Sequence, residues 1–258
     1  MRIAWSGLAD SNYYHYIAKY CLPSWNKLPG DKYIVHDAKD IADPNFFVID
    51  WNYAYNRSNK FTTFCNRTKP MNFWRKMQSQ IWALKNLRRY DWVVLLDTDV
   101  EVFNFNQKEF EEILNKIYSD KVIWATGESQ KNKLDAGHII VNMRDSRLDD
   151  LMYDYENIWE SGNIFKLRRY YDGEAVESLI KGKWPSYKIK NTDHGGGLHT
   201  YTLGTVHYGS KIPKILRALW DGNNDHLVES IINDKRRMTR DSEEYEELVK
   251  KLNERNNT

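Results

Sequence analysis

Two aspartates separated by one threonine, Asp97-Thr98-Asp99, are the residues of this sequence best suited to chemistry. They follow a continuous apolar run at 92–96, which is typical of a central strand buried on both faces. Residues i and i+2 of an extended chain project to the same side, so both carboxylates can bind one Mn²⁺ or Mg²⁺ ion. Such an ion can neutralise a diphosphate and help it leave. A plain pair of strand-end carboxylates is the alternative interpretation.

A second group, His207, Gly209 and Lys211, follows a predicted strand at 201–208. A neutral imidazole can be a third metal ligand beside two carboxylates. Gly209 would let the backbone approach a phosphate closely, and Lys211 would supply a compact positive charge. Taken alone, His207 is better explained as an ordinary, partly buried histidine.

The elements that must position these residues alternate between strands and helices, which predicts an α/β sheet. Predicted strands cover 2–6, 32–36, 46–49, 90–96, 122–125, 137–141 and 201–208. Predicted helices cover 13–25, 69–87, 109–117, 148–159, 175–180 and 241–252. We expect one domain at 1–215, followed by a C-terminal helical extension at 216–258.

Six segments carry glycines, carboxylates or basic residues beside apolar strands or helices. In chain order they are 3–10, 73–76, 94–99, 134–142, 171–175 and 207–211. In content and order they resemble motifs of the GT-A-fold, nucleotide-sugar glycosyltransferases, most closely the glycogenin-like and galactosyltransferase-like family 8. The resemblance implies a Rossmann-like, mixed central sheet flanked by helices. It also implies metal-dependent transfer of a sugar from a nucleotide-diphosphate donor, a UDP-sugar, to an acceptor hydroxyl, with retention of configuration.

The resemblance also implies roles for particular residues. The metal ligands would be Asp97, Asp99 and His207. The donor would be bound by Ser6, Asp10, Tyr13, Tyr14, Lys76, Thr98, Gly209 and Lys211, with one of the two tyrosines stacking on the nucleobase. The reacting sugar would lie near Arg75, Asp135, Asp172 and Glu174. If the enzyme inverts configuration instead, Asp172 or Glu174 would be the base that deprotonates the acceptor.

Two departures from the family pattern leave the sugar and the stereochemical outcome open. Asp135 stands where the family has asparagine, and Gly173 stands where it has a glutamine near the reacting carbon. The last motif is also shorter than usual between His207 and Lys211.

The acceptor is predicted from the segment 166–217, which holds ten Lys or Arg and four Asp or Glu, a local charge of +6 in a chain of net charge +2. Aromatic residues are interleaved with the basic ones. This mixture suits nucleic acid, and so predicts a hydroxylated base in DNA as one acceptor. A glycan is the other, because aromatic rings also bind sugars. The glycine-rich loop at 193–199 is either a mobile acceptor loop or a simple surface loop.

Two other functions remain open on the sequence alone. Phosphatases of the haloacid dehalogenase type also have Asp-x-Asp after an apolar strand, and a sugar- or nucleic-acid-binding module without activity would share the motifs. The sequence has no apolar run near the ~20 residues of a membrane span and no signal peptide, so we expect a cytoplasmic protein. Cys21 and Cys65 are then expected to be reduced thiols.

Overall fold

The computed structural model of the chain describes residues 1–9, 14, 18, 21–36, 46–50, 68–102, 104–129, 133–169, 171–190 and 199–207. Four predicted donor-binding residues, Asp10, Tyr13, Gly209 and Lys211, lie outside these ranges. So do the predicted C-terminal extension, most of the predicted helix at 13–25 and most of the glycine-rich loop.

The structure is an α/β fold built on a mixed sheet, as the alternation of elements predicts. The strands are β1 (Ile3–Ala9), β2 (Asp31–His36), β3 (Phe47–Asp50), β4 (Trp92–Leu96), β5 (Val100–Val102), β6 (Trp124–Ser129), β7 (Lys133–Asn142), β8 (Tyr187–Lys190), β9 (His199–Tyr201) and β10 (Thr205–His207). The helices are α1 (Thr68–Asn86), α2 (Gln107–Ser119), α3 (Leu148–Glu160) and α4 (Asp172–Lys181), with short 3₁₀ helices at Leu22–Lys27 and Asn163–Lys166.

The central sheet has seven strands in the order β3-β2-β1-β4-β7-β6-β8. Strand β7 runs antiparallel to both of its neighbours, β4 and β6, and the other pairs are parallel. From β1 the chain proceeds to β2 and β3 on one side, and β4 then pairs with the other side of β1. The carboxyl ends of β1 and β4 therefore flank a topological switch point, where open α/β sheets bind their ligands.

Each face of the central sheet is covered by its own apolar core. One core joins α1, α3 and α4 to the sheet, with Trp74, Met77, Ile81 and Leu84 of α1 buried in it. Their spacing of three and four residues places them on one face of the helix, as the sequence predicts. The second core lies under α2 and the 3₁₀ helix at Leu22–Lys27. The switch point is thus built on strands that are rigidly packed on both sides.

The predicted single strand at 201–208 is wrong, because the described part of this segment belongs to a hairpin. Strand β9 ends at Tyr201 and β10 begins at Thr205, and both join β5 in a separate three-stranded sheet. Gly204 makes the turn, with a φ of +75°. A Cβ atom at Gly204 would lie 1.8 Å from the carbonyl oxygen of Asn104, so only glycine fits there.

Two further sequence predictions concern membranes and thiols. Within the described residues, no helix has the length and apolarity needed to cross a membrane. Cys21 is a free, buried thiol, as expected, and Cys65 lies outside the described residues. Burial, followed by the charges of Glu101 and Asp99, raises the pKa of the Cys21 thiol, which therefore stays protonated.

Candidate functional site

The aspartate pair occupies the end of β4 at the switch point, where the sequence predicts it. The Thr98 hydroxyl donates a hydrogen bond to the carbonyl of Leu8 in β1, at 2.8 Å. The Asp97 amide donates to the carbonyl of Gly137 in β7, at 2.9 Å. A Cβ atom at Gly7 would lie 2.7 Å from the Thr98 methyl carbon. Thr98 therefore fastens the aspartate pair to β1 and the Asp97 amide fastens it to β7, contacts that the sequence motif does not reveal.

A cavity of about 320 Å³ opens beside Asp97. Its wall brings together residues from α1, β4, β7 and α4, together with the chain that precedes α4. The charged residues that line it are Lys76, Asp97, Asp135, Arg168, Arg169, Asp172, Glu174 and Glu177. Five of the predicted site residues, which are far apart in sequence, thus share one cavity: Lys76, Asp97, Asp135, Asp172 and Glu174.

Lys76 of α1 forms the floor of the cavity. Its Nζ atom lies 2.5 Å from Oδ1 of Asp97 and also forms an ion pair with Asp172. Burial on its own would lower the pKa of Lys76, but the charges of Asp172 and Asp97 and their hydrogen bonds outweigh it, so the pKa is raised above its usual value. Lys76 therefore remains a cation and ties β4 and α4 to α1.

Asp135 reaches the cavity through an irregularity in β7. Opposite β6, Thr126 pairs with Ile139 while the next residue, Gly127, pairs with Asp135, so three residues of β7 bulge out of that ladder. Such bulges re-aim side chains at functional sites. Oδ1 of Asp135 accepts a hydrogen bond from the Gly137 amide at 2.9 Å, which fixes the orientation of the carboxylate.

Asp99 lies deeper than Asp97, with only 1% of its surface exposed. Strand β5 begins at the next residue, Val100, which is paired with His207 of β10. The hairpin therefore brings the backbone of His207 beside the aspartate pair, although the two are more than a hundred positions apart in sequence. The His207 side chain is not among those the structure describes.

The chemistry of the predicted metal ligands suits a hard divalent cation, because carboxylate oxygens and imidazole are common donors for Mn²⁺. Among the described side chains, no group of three or more His, Cys, Asp and Glu could hold a metal ion. The side chain of His207 is not one of these described side chains. Two of the three predicted ligands are therefore described, and they lie at the same strand end.

Behind the carboxylates lies Tyr201, a buried residue whose position relative to them the sequence does not reveal. Burial raises its pKa most, followed by the charges of Asp135, Asp97 and Asp99. The ring of Tyr201 makes an edge contact with the buried His138 at a centroid distance of 5.2 Å. Three aspartates thus concentrate negative charge around one point, an environment that favours a bound cation. The pairing of β9 with β10 brings Tyr201 here, and local sequence carries no signal of it.

Other predicted residues lie away from the cavity. Arg75 is buried in α1, but its neighbour Lys76 is the residue that lines the cavity wall. Ser6 is buried within β1, three residues before the strand ends. Tyr14 packs against the second core, and its ring lies 6.1 Å from that of His36. The structure therefore separates these three residues from the group around Lys76.

Glu174 lies in the first turn of α4 and lines the cavity. Its Oε1 atom is 2.6 Å from Nη2 of Arg168, whose side chain is mostly exposed. Gly173 sits between Asp172 and Glu174, and a Cβ atom there would be in ordinary contact with the Leu134 carbonyl at 3.5 Å. The fold does not require glycine at this position, and the absence of a side chain there leaves more space in the cavity.

The chain matches no protein-family model, and no curated protein matches it.

Proposed function

We propose that this protein is a metal-dependent glycosyltransferase of the GT-A type that uses a UDP-sugar donor. The observation that carries the proposal is the position of the Asp97-Thr98-Asp99 motif. It lies at the switch point of a mixed sheet, and its first residue, Asp97, lines a cavity with Lys76 and Asp172. Ligands of open α/β sheets bind at this position, and carboxylates there suit a cation that carries a diphosphate.

In this proposal Asp97, Asp99 and His207 hold Mn²⁺ or Mg²⁺. When bound, the ion neutralises the diphosphate of the donor and stabilises it as a leaving group. The crevice at the carboxyl ends of β1 and β4 receives the nucleotide, and the part of the cavity beside Asp97 and Asp135 receives the donor sugar. Asp135 is oriented by the Gly137 amide and Asp172 by Lys76, so both carboxylates can accept hydrogen bonds from sugar hydroxyls without moving.

Lys76 has two tasks in this mechanism. It remains cationic beside Asp97 and Asp172, and it is 17% exposed, so it can contribute positive charge to the leaving diphosphate. It also holds the two carboxylates at a fixed separation across the cavity floor. Arg75, the other basic residue of this motif, is assigned no contact with the donor.

A thermal-shift panel of UDP and GDP, each with and without Mn²⁺, tests the proposal. A ligand that binds only the folded state stabilises it by RT ln(1 + [L]/Kd), about 2.7 kcal/mol at a hundredfold excess over Kd. We expect UDP with Mn²⁺ to give the largest shift, Asp99→Asn and Asp97→Asn to abolish it, and Asp150→Asn to preserve it. Asp150 is the matched control, because its side chain is 69% exposed on α3.

If neither UDP nor GDP shifts the unfolding temperature in the presence of Mn²⁺, the proposed nucleotide site is refuted. The two alternatives give different results in activity assays. A phosphatase would release phosphate from small phosphoesters with Mg²⁺ and would ignore UDP-sugars. An inactive binding module would bind UDP but fail to hydrolyse any UDP-sugar, whereas a transferase releases UDP slowly even without an acceptor.

A further inference from the structure

In the described part of the basic segment, 166–169 and 171–190, several basic side chains are paired with carboxylates or half-buried. Arg168 is paired with Glu174, Lys181 with Glu177, and Lys183 lies within 4 Å of Asp150 and Asp154. Lys188 is half-buried on β8, and burial lowers its pKa. Of the seven described basic residues of this segment, three are therefore paired with carboxylates and a fourth is half-buried. A polyanion needs basic side chains that are free to release its counterions.

Trp184 and Tyr187, two described aromatic residues of the same segment, do not form a stacking stripe either. Trp184 is buried, and its indole N–H donates to Asp154. Tyr187 is half-buried against the second core. Stacking of successive bases requires several exposed ring faces along a groove. Trp184 and Tyr187 instead stabilise the fold.

Tyr171 is different, because it lines the cavity and remains partly exposed. Its ring lies 5.1 Å from that of Phe73 at an angle of 55°. Phe73 packs against the first core on one side and lines the same cavity on the other. The two rings form an aromatic wall in a cavity that is also lined by charged side chains. We call it the Phe73–Tyr171 wall.

We propose that the Phe73–Tyr171 wall is a binding subsite for an uncharged saccharide, which serves as the acceptor. A sugar ring has apolar C–H faces that pack on aromatic rings, and its hydroxyls donate hydrogen bonds to carboxylates. Glu174 and Glu177 line the cavity with the wall and supply such acceptors. The assignment of the saccharide as acceptor rests on the proposed transferase function, whereas the binding itself does not.

Charge separates this acceptor from a nucleic acid. Five carboxylates and three basic side chains line the cavity, and one of the basic three, Arg168, is already paired with Glu174. This excess of negative charge in the cavity lining repels the phosphates of a DNA strand. A cavity of about 320 Å³ is at the small end for ligand pockets, which span roughly 300–1,000 Å³. It therefore suits a small ring ligand.

Saturation-transfer difference NMR on the full chain, without a donor, tests the subsite. The probes are a set of uncharged methyl hexopyranosides and, separately, a short DNA duplex. We expect signals from the ring C–H protons of at least one glycoside. The variant Tyr171→Ala should weaken its binding about tenfold, and Tyr171→Phe should preserve it. Tyr153→Ala is the matched control, because Tyr153 is 69% exposed on α3 and does not line the cavity.

The variant is suited to this purpose because the side chain of Tyr171 does not cap α4. The carbonyl of Tyr171 accepts hydrogen bonds from the amides of Glu174 and Ala175, and alanine retains that carbonyl. The urea unfolding midpoint of Tyr171→Ala should therefore stay close to that of the unchanged protein, which confirms that the variant is folded independently of any binding of UDP.

Three outcomes would overturn the subsite. They are no signal from any glycoside, a signal that Tyr171→Ala leaves unchanged, and saturable duplex binding that weakens in Arg169→Gln. If glycosides bind at Tyr171 but UDP with Mn²⁺ gives no shift, the saccharide subsite stands and the donor assignment fails. The two proposals are thus separable in one set of samples.

Discussion

Ion pairs occur in two regions of this protein with different surroundings. On the outer surface, Lys85 at the end of α1 pairs with Glu156 of α3, and Arg88 in the turn after α1 pairs with Asp149 of α3, all in contact with water. On the cavity floor, the side chains of Lys76, Asp97 and Asp172 are 17%, 21% and 11% exposed. Surface pairs can be replaced by water at little cost, whereas removing one partner of a buried pair leaves a charge without compensation. Removing water from Lys76, Asp97 and Asp172 costs desolvation free energy, and charges that are kept at such a cost favour a functional role.

The largest effect should come from breaking the floor. In Lys76→Met the carboxylates of Asp97 and Asp172 lose their common cation. We expect the free energy of unfolding to fall by about 3–5 kcal/mol, measured by urea denaturation at neutral pH. Stabilisation by UDP and Mn²⁺ should fall as well, because the diphosphate loses the positive charge of Lys76. A loss below about 1 kcal/mol would mean that the floor behaves like the surface pairs.

The hairpin that carries His207 to the site should be nearly as sensitive. Gly204→Ala forces a left-handed φ and a clash with the Asn104 carbonyl, so we expect a loss of about 2–5 kcal/mol in urea unfolding. Gly162→Ala is the matched control. Gly162 has the same φ of +75°, but the nearest atom to an added Cβ lies 4.0 Å away. Strain alone costs about 1–2 kcal/mol there. Equal losses at the two glycines would refute the close packing of the hairpin.

The buried carboxylates also predict a dependence on alkaline pH through Tyr201. Burial and the aspartates raise the pKa of Tyr201, whereas an unfolded tyrosine loses its proton near pH 10. Above about pH 10 the unfolded state therefore binds fewer protons, and stability falls as the pH rises. Tyr201→Phe should make this fall shallower by up to about 1.4 kcal/mol per pH unit. Urea midpoints on either side of pH 10 measure it, and identical slopes in both proteins would contradict the account.

The smallest effect should come from the outer surface. Arg88→Met removes the pair with Asp149, and we expect a change of about 0–1 kcal/mol in the free energy of unfolding. Thermal and urea unfolding measure it beside Lys76→Met, a variant that likewise replaces a basic residue by methionine. A loss comparable with that of Lys76→Met would remove the distinction between the two regions.

Local patterns were sufficient to predict most of the sheet. The apolar run before Asp97 predicted β4, and the spacing of Trp74, Met77 and Ile81 predicted α1. The hairpin at 199–207 could not be predicted in this way. Its course depends on the contact of Gly204 with Asn104, a long-range contact that adjacent residues do not reveal.

The candidate site could be predicted only in part, because some of its contacts are also long-range. Residue type and spacing singled out Asp97 and Asp99, and the family resemblance added Asp135, Asp172 and Lys76. They did not show that Lys76 pairs with both Asp97 and Asp172, or that Phe73 and Tyr171 meet. Those contacts arise from the packing of α1 against α4. Conversely, the basic count after residue 166 suggested a cationic face, because a count along the chain ignores partners such as Asp154 on another helix.

Anomalous diffraction from a crystal grown with UDP and Mn²⁺ would show directly whether the aspartate pair binds the metal. We predict one manganese peak bound by the carboxylates of Asp97 and Asp99 and the imidazole of His207, with the diphosphate of UDP as a further ligand. A manganese peak elsewhere, or UDP bound away from the ends of β1 and β4, would contradict it.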